Sequence, residues 1–496
     1  MSGNEAAAAA SEPRKKKTYH VGNLEYTKAG LLALFFWLLW GDFCFVLMEG
    51  AFGPILQFRL LNDLKADPVF YTLIMATIPG LLNFVMNPII SIKSDRHRGP
   101  RGRRIPFLLY STPFVCGLLA LMGFGNEIGA YVQAHFFASM STATVTVWVF
   151  GVMFIVFFMF NMFMNTTFYY LFNDVVPQEH FVKFMAYMRV VGGLAGMLYS
   201  WFIWGYSDKS GPFTLNLGFC QWHTDHIWYP KLILVGMALF YLVGFTLACL
   251  RIKEPSYPDP PPLAKGDRFT EKLSSTVRTL AKECFGHKFY WLLFTTLTFE
   301  ALYTAASSFQ QPMLKSMGID LIRLGKIGSI AGFVSIGLTM ITASWGDRWH
   351  PVPLMVVTIT GLVVTAPVAL LFLIPNLSPE TYLWIRVAYI VTHIPVGIIG
   401  GLASGPFLMR LFPRPKYGQF SAAMSMVRTI LAGVLGSLLA GGFMKLMQSV
   451  HGGSTYYMRY CFVWQMFFQV ITLVCYVFLY REWKRLGGSK GYTPPA

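Results

Sequence analysis

The sequence predicts an all-α membrane protein of twelve transmembrane helices arranged as two pseudo-symmetric six-helix bundles. Three observations carry that expectation. The 496 residues are 55% hydrophobic and only 13% charged, with a mean hydropathy of +0.50, whereas a soluble domain carries about a quarter charged residues. The apolar residues gather into runs long enough to cross a bilayer, which takes roughly 20 residues of helix. Features of the first six runs recur in the second six. A disordered chain, a coiled coil and a small disulfide-stapled scaffold are excluded, and the short loops leave no room for a separate soluble catalytic domain.

The elements follow in order. The first 27 residues are polar and Ala-rich, with a basic cluster at Arg14, Lys15, Lys16 and Lys17. No cleavage-site pattern follows and the first apolar run is too long for a signal peptide, so residues 1–28 are expected as a disordered cytoplasmic tail. Spans are expected near 29–58, 70–92, 106–125, 144–172, 184–206 and 230–250, forming a first bundle over 29–250. A linker, 251–288, opens with Pro255, Pro258, Pro260, Pro261 and Pro262, which cannot be a helix interior, and continues into an expected surface helix near 269–284. Spans near 289–312, 323–344, 353–375, 381–411, 418–447 and 458–480 form a second bundle over 289–480, before a tail at 481–496.

Charge sets the orientation. The chain carries 40 Lys and Arg against 23 Asp and Glu. Lys/Arg clusters fall in 93–105, 251–288 and 410–416 and in both tails, whereas 126–143 has none. Cytoplasmic loops retain positive charge, so both termini are expected in the cytoplasm and 126–143 and 207–229 outside. The basicity is topological and implies no nucleic-acid partner. Seven cysteines, at 44, 116, 220, 249, 284, 461 and 475, lie far apart and mostly in apolar runs. They imply neither a disulfide framework nor a metal cluster.

The repeat is short. Ser94, Asp95 and Arg96 after the second run match Gly346, Asp347 and Arg348 after the eighth. Pro177, Phe181 and Phe184 open the fifth run, and Pro413, Tyr417 and Phe420 open the eleventh at the same spacing, with Arg189 or Arg428 following. A repeated half around a midplane site is how many secondary carriers are built.

The most informative stretch holds Asn83, Asn87, Pro88, Ser94, Asp95 and Arg96, then Gly102, Arg103, Arg104, Ile105, Pro106 and Phe107. An acid at a helix end is followed by a turn and then by arginines at the next helix start. Such an acid can bond an arginine and helix-terminal amides, making a latch that breaks and reforms as the halves rock. Asp95, Arg96, Arg103, Arg104, Asp347 and Arg348 are its candidate members. The string resembles the loop signature of the major facilitator superfamily, and its long spacing is similar to the glycoside–pentoside–hexuronide cation symporters and the sucrose carriers. That resemblance implies the major facilitator fold and a cation site built by acids in the first two helices. Asp42 looks like the first-helix acid, but the second-helix positions fall on Asn83 and Asn87. Amides supply no charge, which favours H⁺ over Na⁺ as coupling ion.

A charge near the bilayer centre costs upward of about 2.5 kcal/mol and asks for a partner or a role. Asp42 and Glu49 share one face of the first helix, with Arg189 in the fifth and Glu300 in the seventh as further coupling candidates. His393 reads as a packing histidine, and Arg386 as snorkelling to the outer surface. Asn161, Asn165, Tyr169 and Asn173 recur every four residues along the fourth helix. That stripe suits either a cavity that binds hydroxyls or bonds between helices. Tyr303, Gln310 and Gln311 add an aromatic face and amides to the expected cavity, with Asn83 and Asn87. Nothing resembles a nucleophile elbow, a phosphate loop or a metal-ligand set.

The expectation is therefore a monomeric, non-enzymatic carrier in the cell membrane (the inner one, if bacterial), with no cofactor beyond its coupling ion. It would import a sugar or glycoside with H⁺ by alternating access. The alternatives are a lysolipid or peptidoglycan fragment on the same scaffold, or a solute sensor that does not transport.

Overall fold

The computed structural model describes residues 18–216, 221–258, 286–346, 349–413 and 417–495. Six helices make the first bundle: α1 (Lys28–Asp63), α2 (Pro68–Arg96), α3 (Ile105–Gly123), α4 (Thr142–Val175), α5 (Gln178–Phe202) and α6 (Tyr229–Arg251). The second bundle holds α7 (Lys288–Thr304), α8 (Leu321–Gly346), α9 (Pro351–Leu373), α10 (Pro379–Leu411), α11 and α12 (Cys461–Arg485). Helix α11 runs through three consecutive pieces, Tyr417–Arg428, a π-helical Thr429–Gly436 and Ser437–Val450. Within the first bundle α3 packs on α4 and α6, and α1 on α5 and α6; within the second, α12 packs on α7 and α9, and α9 on α10.

Eleven helices among the described residues are long and apolar enough to cross a membrane. The seventh expected span is the exception. Helix α7 stops after 17 residues, and the chain turns through Ser307–Phe309 before a short helix, Gln310–Ser316. The break falls in a Thr/Ala/Ser run. The Thr304 hydroxyl donates to the Ala301 carbonyl at 2.7 Å, the local competition that makes such residues poor helix interiors. Pro312 is tolerated in the first turn of the restarted helix because its missing N–H has no partner there.

Two further expectations change. Residues 19–26 are not a structureless tail: β1 (Tyr19–Val21) pairs antiparallel with β2 (Leu24–Tyr26), and the Asn23 side chain accepts from the Ser256 amide at 2.7 Å. The loop 126–143 contains a 12-residue helix, Gly125–Phe136, while 207–229 folds into a hairpin of β3 (Ser210–Asn216) and β4 (Gln221–Trp228). The basic cluster at 14–17, the expected surface helix near 269–284, and Asp347 with Arg348 lie outside the described residues.

Residues 19–26 and 492–495 lie on one face of the bundle. The β1–β2 hairpin sits beside the exit of α6, and the C-terminal segment bonds Tyr290 at the start of α7 and Leu411 at the end of α10. This is the termini face; the opposite one is the distal face. Among the described residues, the buried core is continuous between the bundles toward the distal face, where Phe309, Met313, Leu314, Phe372 and Tyr457 of the second bundle join the core of the first. Toward the termini face the second bundle keeps its own core, around Tyr290, Phe407, Phe412, Phe420 and Trp483.

Candidate functional site

The bundles meet through a seal at the distal face. Lys315, in the short helix after α7, reaches across to Asp63 at 2.8 Å and also pairs with Asp208. Lys445 of α11 pairs with Asp67 at 2.8 Å, and Lys209 lies 3.8 Å from Asp320. Neutral bonds add to these ion pairs. Asn62 donates to the Pro312 carbonyl at 3.0 Å, Tyr71 to that of Ser308 at 3.3 Å, and the Trp204 indole to Gln311 Oε1 at 3.2 Å. Burial pushes the Asp208 carboxyl up, and Lys315 offsets this only in part. Burial acts the same way on Asp67, but Lys445 and the amides of Phe70 and Val69 outweigh it and hold that carboxyl below the usual range.

Two glycines let the backbones touch beneath these pairs. A methyl at Gly325 of α8 would stand 2.3 Å from the Ser200 carbonyl oxygen of α5, and one at Gly441 of α11 would stand 2.1 Å from Thr72 Oγ1 of α2. Only a residue without Cβ fits either place. Nearby, Ser329 of α8 donates to the Met197 carbonyl of α5 at 2.9 Å. These cross-bundle hydrogen bonds and ion pairs stand at the distal face. The molecule is sealed at its distal face.

Of the intramembrane acids, Glu49 lies on the wall between the bundles. Asp42 is 2% exposed, within electrostatic reach of Glu49, and its Oδ2 faces Gly192 of α5. Glu49 accepts from Asn161 Nδ2 at 3.2 Å; the Asn161 Oδ1 is buried and takes no hydrogen bond from a described residue. Tyr169, 40% exposed, lies within reach of both acids, and Asn165 is half-buried one turn away. In the second bundle the Tyr476 hydroxyl donates to Glu300 Oε2 at 2.6 Å, with Tyr303 and Arg428 within electrostatic reach of that acid.

Other candidates are placed differently from the sequence reading. Arg189 is exposed, and no described contact joins it to Asp42 or Glu49; Asp42 meets α5 one turn farther on, at Gly192. Asn83 and Asn87 bond each other at 3.1 Å, and Asn87 accepts from Thr166 of α4 at 2.7 Å. Their amides tie α2 to α4. Gln311 belongs to the distal seal, and Gln310 stands beside it, half-buried. Directly beneath the seal, a cavity of about 410 Å³ separates the bundles. Glu49, Tyr199, Ser200 and Trp204 line it from the first bundle, and Gln311 and Arg386 from the second.

At the termini face, Arg104 is the centre of the charge cluster that the sequence reading expects to act as a latch. Only 4% exposed, it pairs with Asp95, donates to Ser94 at 2.5 Å, and donates through Nε to Asp174 at 3.0 Å. Arg103 grips the same Asp174 through two nitrogens, at 2.5 and 2.9 Å. Glu254, past the end of α6, accepts from the amides of Arg103, Arg104 and Ile105 at 2.7 to 2.9 Å. It caps α3 as a carboxylate at a helix N-terminus should. Gly102, at φ +99°, lets the chain turn against that carboxylate. Arg96 closes α2 one residue beyond Asp95.

A model of the Major Facilitator Superfamily matches residues 38–437. The chain belongs to that superfamily. It is a multi-pass membrane transporter, not an enzyme. No curated protein matches it in sequence at a significant level. Among solved structures, the nucleoside transporter NupG is similar over 90% of this chain and 99% of its own, at 15% identity and a TM-score of 0.56. A bacterial homologue of the human lysosomal transporter Spinster, in an inward-facing and unoccupied conformation, is similar over 94% of this chain and 98% of its own, at 15% identity and a TM-score of 0.57. A D-xylose–proton symporter is similar over 91% and 97%, at 12% identity and a TM-score of 0.55. At such identities these likenesses show the shared fold alone.

Three residues of the candidate site of this major facilitator protein escaped the sequence reading. Asp174 and Glu254 stand 70 and 150 residues from the Arg104 they serve. Their one signal is an acid at a helix end on an otherwise basic face. Arg386, expected to snorkel, instead lines the cavity.

Proposed function

We propose that the protein is a symporter that imports a sugar or glycoside with a cation, H⁺ rather than Na⁺, by alternating access, acting as a monomer. In this reading the termini face is cytoplasmic, the distal face is outside, and the protein resides in the cell membrane. The single observation that carries it is the position of Glu49: a carboxylate held by Asn161, on the wall of a cavity between the bundles and directly under a closed seal.

A carrier sealed at its outer face delivers cargo to the cytoplasm. Opening the other way requires the ion pairs of Lys315 and Lys445 to part while the bundles close over the termini face. Burial of a carboxylate in a dry site favours its protonated form, and water or a cationic partner favours the ionised one. A cycle that alternates these surroundings at Glu49, with Asp42 two turns away on the same helical face, loads and releases a proton. Glu300 with Tyr476 is the equivalent group in the second bundle. The second-helix positions at which a Na⁺ site of that kind would place acids carry Asn83 and Asn87, whose amides supply no charge and are engaged with each other and with Thr166. The loop string from Asn83 to Phe107 supports the sugar reading through its likeness to the glycoside–pentoside–hexuronide symporters. Trp204, Tyr199, Ser200 and Gln311 offer the flat and hydrogen-bonding surfaces a saccharide needs.

One observation favours a lipid-like solute instead. An apolar groove of about 550 Å³ runs between α8 and α10, lined by Ile327, Ile330, Val334, Leu338, Trp384 and Val387. Uptake of a labelled glycoside panel into proteoliposomes, with and without a pH gradient, separates the two. The symporter reading expects a glycoside to accumulate with the gradient; lysolipid uptake alone would support the groove.

A further inference from the structure

Among the described residues Arg386 has no counter-ion, unlike several basic groups near the seal. Lys315 holds Asp63 and Asp208, Lys445 holds Asp67, Arg323 holds Glu380 at 2.7 Å, and Arg459 donates to the Phe372 and Ile374 carbonyls at 3.0 Å. Arg386 lies seven residues into α10, about 10 Å along it at 1.5 Å per residue, and is half-buried. Its Nε and Nη1 are buried and bond no described residue. Its nearest aromatic company is Tyr389, whose ring centre lies 5.0 Å from the guanidinium carbon.

A guanidinium cannot shed its proton, and a buried charged donor without an acceptor is among the most expensive defects a fold can carry. Glu49 does not relieve it. That acid stands on the other wall of the same cavity and bonds Asn161, and no ion pair joins the two among the described residues. The cavity thus presents a fixed cation with unused N–H donors on one wall, and neutral donors and acceptors from Gln311, Ser200 and Tyr199 around it.

We propose that Arg386 is a binding residue for an anionic oxygen group, carboxylate or phosphate, on the transported solute. Resting on the sugar-transport reading, this makes the substrate class an acidic or phosphorylated sugar rather than a neutral one. The planar guanidinium fits the paired oxygens of either group, and the neutral lining serves the hydroxyls. The cavity, about 410 Å³, lies within the range of small-molecule sites, roughly 300–1,000 Å³.

The test measures equilibrium binding of three probes, glucuronate, glucose 6-phosphate and glucose, to the purified full-length protein and to Arg386→Gln and Arg386→Lys. Wild type binds at least one anionic probe about 10-fold or more tighter than glucose, and the stronger anion tells carboxylate from phosphate. Arg386→Gln weakens that anion about 30-fold or more, the loss expected for truncating one partner of a buried charge pair, and changes glucose less than about 3-fold. Arg386→Lys recovers part of the loss, since it keeps the charge without the planar donors. The ligand-free Tm of Arg386→Gln equals or exceeds that of wild type, which separates lost binding from misfolding. Equal binding of glucose and the anions overturns the proposal and leaves sugar transport standing. So does equal loss of all three probes in Arg386→Gln, which would make Arg386 a partner of Glu49. If no sugar binds, the sugar reading fails on its own, and the anion site is judged by inorganic phosphate alone. A phosphate-induced rise in Tm that Arg386→Gln abolishes keeps the site, and the absence of that rise removes it.

Discussion

Substituting Gly325 with alanine tests whether the distal seal sets the conformational balance. The added methyl would stand 2.3 Å from the Ser200 carbonyl oxygen and 3.2 Å from Trp204 Cε3. A carbon and a carbonyl oxygen normally approach to about 3.3–3.6 Å, so α5 and α8 must separate by roughly 1 Å. Neither side can yield by a rotamer change, because the obstacle is backbone. Overpacking of this kind costs about 1–3 kcal/mol. The penalty falls on the sealed state alone, since opening the distal face parts these helices. The balance should therefore move toward the distal-open form by about 5- to 150-fold. With Cys220 replaced by serine, labelling of a cysteine placed at Gln310 by a membrane-impermeant maleimide, added from outside, reads that balance as a rate. Gly325→Ala should label faster by a factor in that range. Gly328→Ala, where a methyl meets nothing within 4 Å, should label like wild type. A folded Gly325→Ala protein with an unchanged rate would refute the reasoning.

Three further outcomes follow from the termini face. Asp174→Asn should slow turnover while solute binding persists, and more severely than Asp95→Asn: its side chain is 9% exposed and holds two arginines, whereas that of Asp95 is 50% exposed. Losing a buried pair costs about 3–5 kcal/mol against at most about 1 kcal/mol for an exposed one, and single-turnover uptake compared with equilibrium binding checks the order. Glu254→Ala removes the acceptor for three amides at the start of α3 and should lower Tm, by the roughly 0.5–2 kcal/mol of a lost cap. His350 caps α9 by accepting from the Val352 amide at 3.3 Å, and burial, then Arg410, hold its imidazole down at about 4. The unfolded chain takes up this proton near pH 6.5 and the folded protein only near 4, so this contribution to stability is complete above pH 6.5 and lost as pH falls toward 4. His350→Asn keeps a cap and should flatten Tm against pH over that window.

Much of the fold was legible because a bilayer demands long apolar helices. The seventh span misled because Thr304, Ala305, Ala306, Ser307 and Ser308 contain neither Pro nor Gly, and a helix broken there still reads as an apolar run. Asp95 and Arg104 were legible as a pair because nine residues separate them across one turn. Their partners Asp174 and Glu254 come from other helix ends, and only the packing of α3, α4 and α6 brings them in. The spacing of Asn83 and Asn87 showed that they share a face, but not that Thr166 would occupy it. Arg386 was read by its distance from a helix end, the right measure for a lipid-facing side chain and the wrong one for a residue that faces a cavity. No spacing rule reports which way α10 is rotated.

Proton-coupled accumulation tests the central claim most directly. A panel of radiolabelled sugars and glycosides, acidic members included, would be offered to proteoliposomes with an acid exterior and an alkaline lumen. At least one member should rise above its external concentration in wild type and fall back when a protonophore is added. Glu49→Gln should bring the same solute only to equilibrium while retaining downhill exchange, with Asp42→Asn and Glu300→Gln measured beside it. Accumulation that survives in all three acid variants, or that follows a Na⁺ gradient and ignores the pH gradient, would contradict the account.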